Sequence, residues 1–119
     1  MKFSLRKQNK VGWKGWNAWP YSKNTDFANA SALYIEVTTH HGKVKSKKSD
    51  RVYYVIEGEG RFIINNEEFP VQKNDVLIVP KNTPYDYYAK KRTTLRLFLV
   101  HLPAFDPEAE VKLEQPEDA

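Results

Sequence analysis

The sequence predicts an all-β domain, closed as a sandwich or a barrel, and three observations carry that prediction. From Ser31 onward, short runs of β-branched and aromatic residues alternate with turn residues. No segment holds a period of 3.6, so little helix is expected. A chain of 119 residues suffices for one domain with a real core and leaves no room for a second.

The elements follow in order. Residues 32–38 (ALYIEVT) alternate β-formers, and residues 52–57 (VYYVIE) form a second strand that Gly58-Glu-Gly60 ends. Residues 61–64 (RFII) lead into Asn65-Asn66, a pair able to take the positive φ angles of a two-residue hairpin turn. The return, residues 67–71 (EEFPV), carries Pro70 and so belongs at a sheet edge or at a missing ladder bond. Residues 76–79 (VLIV) are a fully apolar strand. Residues 85–89 and 93–102 complete the set, joined by the cationic turn Lys90-Lys91-Arg92. Seven or more such strands make a sandwich or barrel.

The two ends have a different character. Residues 1–30 hold all three tryptophans, mixed with bases and turn residues in GWKGWNAWPYSKN. Aromatics among cations suit a stacking platform for single-stranded nucleic acid, but an arm covering a barrel face or a subunit contact is the reading preferred here. Residues 103–119 carry six acids and one base, a charge of −5. With +4 overall, residues 1–102 therefore carry +4 − (−5) = +9. The tail from Pro103 is expected to be an extended or partly disordered strap. The division expected is an arm over 1–30, a barrel over 31–107 and an acidic tail over 108–119.

With no cysteine, thiol catalysis, Cys-ligated zinc and disulfides are excluded, which fits a reducing compartment. No run approaches the roughly 20 apolar residues of a membrane span, and MKFSLRKQNKVGW has no signal-like apolar core. A cytoplasmic protein with no membrane partner is expected.

The phrase YYVIEGEGRFIINNEEFPVQKNDVLIVPKNTPY resembles the cupin superfamily in its small single-domain form, and the likeness runs over roughly residues 32–107. It implies a jelly-roll barrel. Of the family's first motif, Gly-x5-His-x-His-x3-4-Glu-x6-Gly, the final glycine is Gly58 and the glutamate falls on Arg51. The two histidines fall on Lys45 and Lys47 with the shorter spacing, or on Val44 and Ser46 with the longer. The second motif, Gly-x5-Pro-x-Gly-x2-His-x3-Asn, matches in spacing at Asn74, Pro80, Asn82, Tyr85 and Ala89, and only the proline keeps its identity. The metal that the resemblance implies would need three histidines and a glutamate at these places. Arginine cannot lose its proton, and tyrosine replaces imidazole poorly. His40 and His41 are adjacent, so at most one turns inward, which with His101 falls short of a tight site. No metal and no cofactor is expected.

If the motif glutamate position points inward, Arg51 and Tyr53 line the lumen while Val52, Tyr54 and Ile56 face away. Tyr85 and Tyr87 join them, and Lys45 and Lys47 do so under the shorter spacing. Together with His101 these are the candidate ligand-binding residues, a set suited to a small anionic or carbohydrate-like ligand. The alternative is inert: a solvated lysine loop over 43–48, and Arg51 paired with Glu36, Glu57 or Asp86. Two function classes remain open. One is a metal-free binding module. The other is a metal-independent sugar isomerase or epimerase, for which the resemblance implies a histidine base and a tyrosine acid. Tyr85 could be the acid, and His41 or His101 are the imidazoles able to reach the cup. Nucleic-acid binding ranks last. A homodimer is expected from the resemblance, with Val52, Tyr54 and Ile56 as its local support.

Overall fold

Alternation along the strands sorts this chain into an apolar inside and a mixed outside. The computed structural model describes residues 1–114, so Glu117 and Asp118 of the acidic tail lie outside the described residues. Its strands are β1 (Val11–Trp13), β2 (Trp16–Pro20), β3 (Ser31–Val37), β4 (Lys43–Ser46), β5 (Asp50–Glu57), β6 (Glu59–Ile64), β7 (Glu67–Gln72), β8 (Val76–Val79), β9 (Tyr85–Ala89), β10 (Leu95–Leu102) and β11 (Glu110–Glu114). They pair antiparallel in two sheets, ordered β1-β2-β3-β10-β5-β8 and β11-β4-β9-β6-β7. The sheets face each other as a jelly-roll barrel. Among the described residues the only helical pieces are single 3-10 turns at Lys7–Asn9 and Pro107–Ala109, and no helix is long and apolar enough to cross a membrane.

The strands expected from Ser31 to Leu102 form within two residues of their predicted bounds. Asn65 and Asn66 take φ of 51° and 67°, and Ile64 pairs with Glu67 across them, which makes the two-residue hairpin. Pro70 sits on β7, the edge of its sheet, where its missing N–H breaks no ladder. Gly58 has φ of 91°, and a Cβ there would stand 2.3 Å from the Thr94 carbonyl. Only glycine lets the β5–β6 turn approach β10 so closely.

The sequence signals are silent on four strands. β1 and β2 form a hairpin inside the N-terminal arm and add to the first sheet through β3. β4 and β11 pair with each other in the second sheet. In each, bases, acids or turn residues interrupt the apolar run.

In the core, Leu95, Leu97 and Leu99 of β10 and Tyr53 and Val55 of β5 point inward from one sheet, and Phe62, Tyr85 and Tyr87 from the other. All are essentially fully buried. Each such side chain contributes about 1.5–3 kcal/mol by leaving water. The inner layer is rich in aromatics: Phe62 stacks on Tyr87 at 4.7 Å and meets Tyr53 edge-on at 5.0 Å. That packing closes the floor of the barrel and leaves its other end open.

Candidate functional site

Above the aromatic floor lies a cavity of about 490 Å³. It falls in the range of roughly 300–1,000 Å³ typical of small-molecule sites. Trp13 and Trp16 of the N-terminal hairpin wall one side, with His41, Val44 and Tyr87. Arg51, Tyr53, Leu99 and His101 line the cavity as well, and Phe105, Pro107, Glu110 and Lys112 close the rim. A shallower groove of about 580 Å³ on the outside of β6 and β7 holds none of the predicted site residues. Its charges are largely spent on each other, as in Arg61–Glu68 and Lys90–Glu59.

Of the seven predicted residues, Arg51, Tyr53, Tyr87 and His101 line the cavity. Tyr85 is buried behind them. Its hydroxyl accepts a hydrogen bond from Arg51 Nη1 and lies 2.7 Å from the Tyr53 hydroxyl. Lys45 and Lys47 do not enter the lumen. On β4 it is Val44 and Ser46 that are buried, so the longer motif spacing holds and the lysines take the outward parity. Lys47 is exposed beyond the strand end, as a hydrated ammonium prefers.

Arg51 is only 3% exposed, and a buried guanidinium needs a counter-charge. None of the three acids expected for this role supplies it. Glu36 pairs with Arg96 at 2.6 Å, Glu57 lies 4.0 Å from Lys73, and Asp86 binds His40. The partner is Glu110, 2.5 Å from Nη2, brought across the rim by β11. Burial alone would weaken Arg51 as a base, but Tyr85, Tyr53 and Glu110 outweigh it and hold the proton more firmly than usual. Inside the cavity this charge is therefore already answered by protein.

His41 is the functional candidate that ligand-motif reasoning underrates. It is 8% exposed and its ring lies parallel to those of Tyr87 at 5.0 Å and Tyr85 at 6.0 Å, with Trp16 edge-on at 5.1 Å. Burial, reinforced by Arg51, holds its pKa down to about 4, so the ring is neutral near pH 7. Nδ1 lies 2.9 Å from the Gly42 carbonyl, which can only accept, so Nδ1 carries the hydrogen and Nε2 keeps its lone pair. Among the described residues Nε2 has no partner, and it is not sealed from open space, unlike Trp13 Nε1 and Arg51 Nε. It faces the cavity.

Asp86 organises this corner. Its Oδ1 accepts from Gly42 N at 2.9 Å and Tyr87 N at 2.7 Å, while His41 N donates to the Tyr87 carbonyl at 3.1 Å. Its Oδ2 binds Nδ1 of His40, whose ring stacks on Tyr88 outside the barrel. The adjacent histidines thus face opposite ways, and only His41 serves the cavity.

The phenols are graded by their partners. Burial raises Tyr53, Tyr85 and Tyr87 above the usual phenol range, and the guanidinium pulls Tyr85 partly back. Tyr87 accepts from Trp16 Nε1 at 2.7 Å, which leaves its own O–H to donate. If Arg51 donates to Tyr85 and Tyr85 to Tyr53, the Tyr53 O–H is polarised toward the cavity.

The four family ligand positions hold Val44, Ser46, Arg51 and Tyr85, which offer no metal donor set. Among the described residues no three His, Asp or Glu side chains cluster as a metal site requires.

A family model described as the cupin domain matches residues 35–101. An uncharacterized protein of Methanocaldococcus jannaschii is 30% identical over 64 residues. The match covers 54% of this chain and 51% of that protein, so the chain spans about half the length of this relative. Among solved structures, the nucleoside dehydratase Pac13 superposes with a TM-score of 0.82 at 23% identity, covering 97% of this chain and 93% of that one. Streptomyces Pac13 has also been solved with uridine in variants that replace a histidine by glutamine or a tyrosine by phenylalanine. Oxalate decarboxylase from Bacillus subtilis superposes with a TM-score of 0.82 at 19% identity, covering 95% of this chain and 32% of that one. Likeness at these identities speaks to fold.

Proposed function

The chain belongs to the cupin family, and on that premise we propose that it is a metal-independent cupin whose cavity binds a neutral sugar- or nucleoside-like ligand and moves protons on it. The observation that carries this is His41: a neutral, buried imidazole with Nε2 directed at the cavity beside three phenols. The four family ligand positions hold no metal donor set, so the chemistry rests on side chains. With Arg51 answered by Glu110, the cavity favours a neutral ligand over an anion.

The reaction class is acid–base elimination of water. His41 Nε2 takes a proton from carbon, the electron pair forms the double bond, and the departing hydroxyl receives a proton from Tyr53 or Tyr87. Imidazole is a weak base, so that carbon must be activated by a neighbouring carbonyl. Similarity to a nucleoside dehydratase supports the same class. Isomerisation would use the same pair, with the proton returned to a neighbouring carbon. The test is to incubate the protein with sugar and nucleoside aldehydes or ketones bearing a hydroxyl β to the carbonyl, and to follow loss of water by mass spectrometry. Turnover should fall at least about a hundredfold in His41→Gln. Turnover undiminished in that variant overturns the assignment.

A homodimer is part of this reading. The outer face of the first sheet exposes Tyr54, Val76 and Ile78, an apolar row suited to a second copy. Light scattering should give twice the chain mass, and a monomer for Ile78→Lys.

A further inference from the structure

The mouth of the cavity holds a second imidazole that the proposed chemistry leaves unused. His101 ends the inward row of β10, opposite Arg51 on β5 and Ser31 on β3. It is 4% exposed, and among the described residues neither ring nitrogen has a hydrogen-bond partner. Neither nitrogen is sealed, so both reach the open space that His101 lines. A buried polar ring costs free energy unless something pairs with it.

Its surroundings narrow what that something is. Leu33, Leu99 and Pro20 give apolar walls, and the Phe105 ring lies 5.2 Å from the imidazole. The Ser31 hydroxyl accepts from Phe105 N at 2.8 Å, which leaves its own hydrogen free to donate. The neighbouring guanidinium is committed to Glu110 and Tyr85. Lys112, the other cation lining the cavity, is exposed at the rim, so a phosphate or carboxylate beside His101 would find no buried free cation. Burial and the adjacent Arg51 hold His101 down to about 3, so it offers one N–H and one lone pair at physiological pH. Apolar faces with a donor and an acceptor at one edge suit a flat ring carrying an amide.

We propose that the His101 mouth is a subsite for a nucleobase-like amide ring, read at its edge by His101 and Ser31, so that the attached sugar hydroxyls reach His41. This rests on the proposed reading and deepens it from sugar-like ligands in general to nucleosides. His101 here selects the ligand and takes no part in the proton transfers.

The test uses protein with 15N-labelled histidine, titrated separately with uridine, uracil and D-ribose. Uridine and uracil should move the His101 ring nitrogens, and ribose should leave them in place. Uridine should also move those of His41. His101→Phe keeps the buried volume and removes both nitrogens, and should weaken uridine about tenfold, the cost of one lost hydrogen bond in a desolvated site. His101→Gln retains a donor and an acceptor and should recover part of that loss. His101 signals unmoved by uridine and uracil overturn the subsite, as does undiminished uridine affinity in a folded His101→Phe protein. Uridine moving His41 alone removes the subsite and leaves the reading of His41 intact. Base-dependent shifts at His101 without turnover of any carbonyl substrate would keep the subsite and remove the proposed reaction.

Discussion

The two ends of the chain do the same job around one cavity. The N-terminal hairpin extends the first sheet and lays Trp13 and Trp16 against His41, at 5.6 and 5.1 Å. The C-terminal strap extends the second sheet, carries Glu110 to Arg51, and sets Phe105 against His101 at 5.2 Å. Each end therefore excludes water from one imidazole. They differ in means: the hairpin uses buried aromatic area, the strap one buried ion pair, an exposed one at its base and a half-exposed ring. The lesson is that the barrel positions the site's inner groups, while the termini set their chemistry by deciding how dry they are.

The largest effect expected is on acid stability. Both imidazoles resist protonation when folded, at about 4 and about 3, and titrate near 6.5 when unfolded. Between those values the unfolded chain binds more protons, so stability is intact above about pH 6.5 and falls with pH down to the folded pKa values. At about 1.4 kcal/mol per unit, the losses are on the order of 3 kcal/mol for His41 and 5 for His101. The charged groups acting on them are Arg51 on both, Asp86 and His40 on His41, and His41 itself on His101. Urea unfolding from pH 7.5 to 5 should show this slope, and His101→Gln should flatten it. A slope unchanged in that variant would place the acid sensitivity elsewhere.

Trp16→Ala separates the two ends. Removing a 6%-exposed indole that also donates to Tyr87 should cost about 3–5 kcal/mol. By wetting His41 it should raise that residue's pKa toward 6.5 in NMR titration and leave His101 low. Phe105→Ala should do the reverse at little cost to stability. If either variant moves both histidines alike, the ends do not act independently.

Glu110→Ala breaks the strap's ion pair. Leaving Arg51 buried without its carboxylate should cost about 2–3 kcal/mol, less than for a fully buried pair because the Glu110 side chain is 15% exposed. Urea unfolding measures the loss. A cost near zero would mean that the phenols alone satisfy the guanidinium.

All the strands from Ser31 to Leu102 except β4 were legible because each rests on local chemistry: alternation, Asn65-Asn66, Gly58, Pro70. Arg51, Tyr53, Tyr85 and Tyr87 were legible as inward by parity, with the inward face set by the motif positions that the family resemblance implies. Lys45 and Lys47 were misplaced because two motif spacings differ by one residue, and one residue reverses a strand's faces. Glu110 was invisible as the partner of Arg51: nothing local links positions 59 residues apart, and the acidity of the tail read as solvation. The hairpin over 11–20 lacked a clean apolar alternation, so its tryptophans signalled packing without showing what they cover. His41 carried a faint signal, since one of two adjacent histidines had to turn inward. Which one depends on Asp86, a contact 44 residues away through Gly42.

The smallest effect tests how the strap is held. Lys48 Nζ lies 3.4 Å from Asp106 at the base of the strap, with its side chain about half exposed. A pair in that setting is screened by water and salt and has to order two flexible side chains, so Lys48→Ala should cost under about 0.5 kcal/mol. The His101 pKa should not move, because Phe105 and Glu110 keep their places through the β4–β11 ladder and the Arg51 contact. Raising salt to about 1 M should likewise leave the strap closed, since the Debye length there is about 3 Å and only the exposed pair is erased. A loss above about 1 kcal/mol in Lys48→Ala, or a His101 pKa that climbs with salt, would mean that the exposed pair holds the strap, and the contrast between an aromatic end and an ionic end would then rest on surface charge.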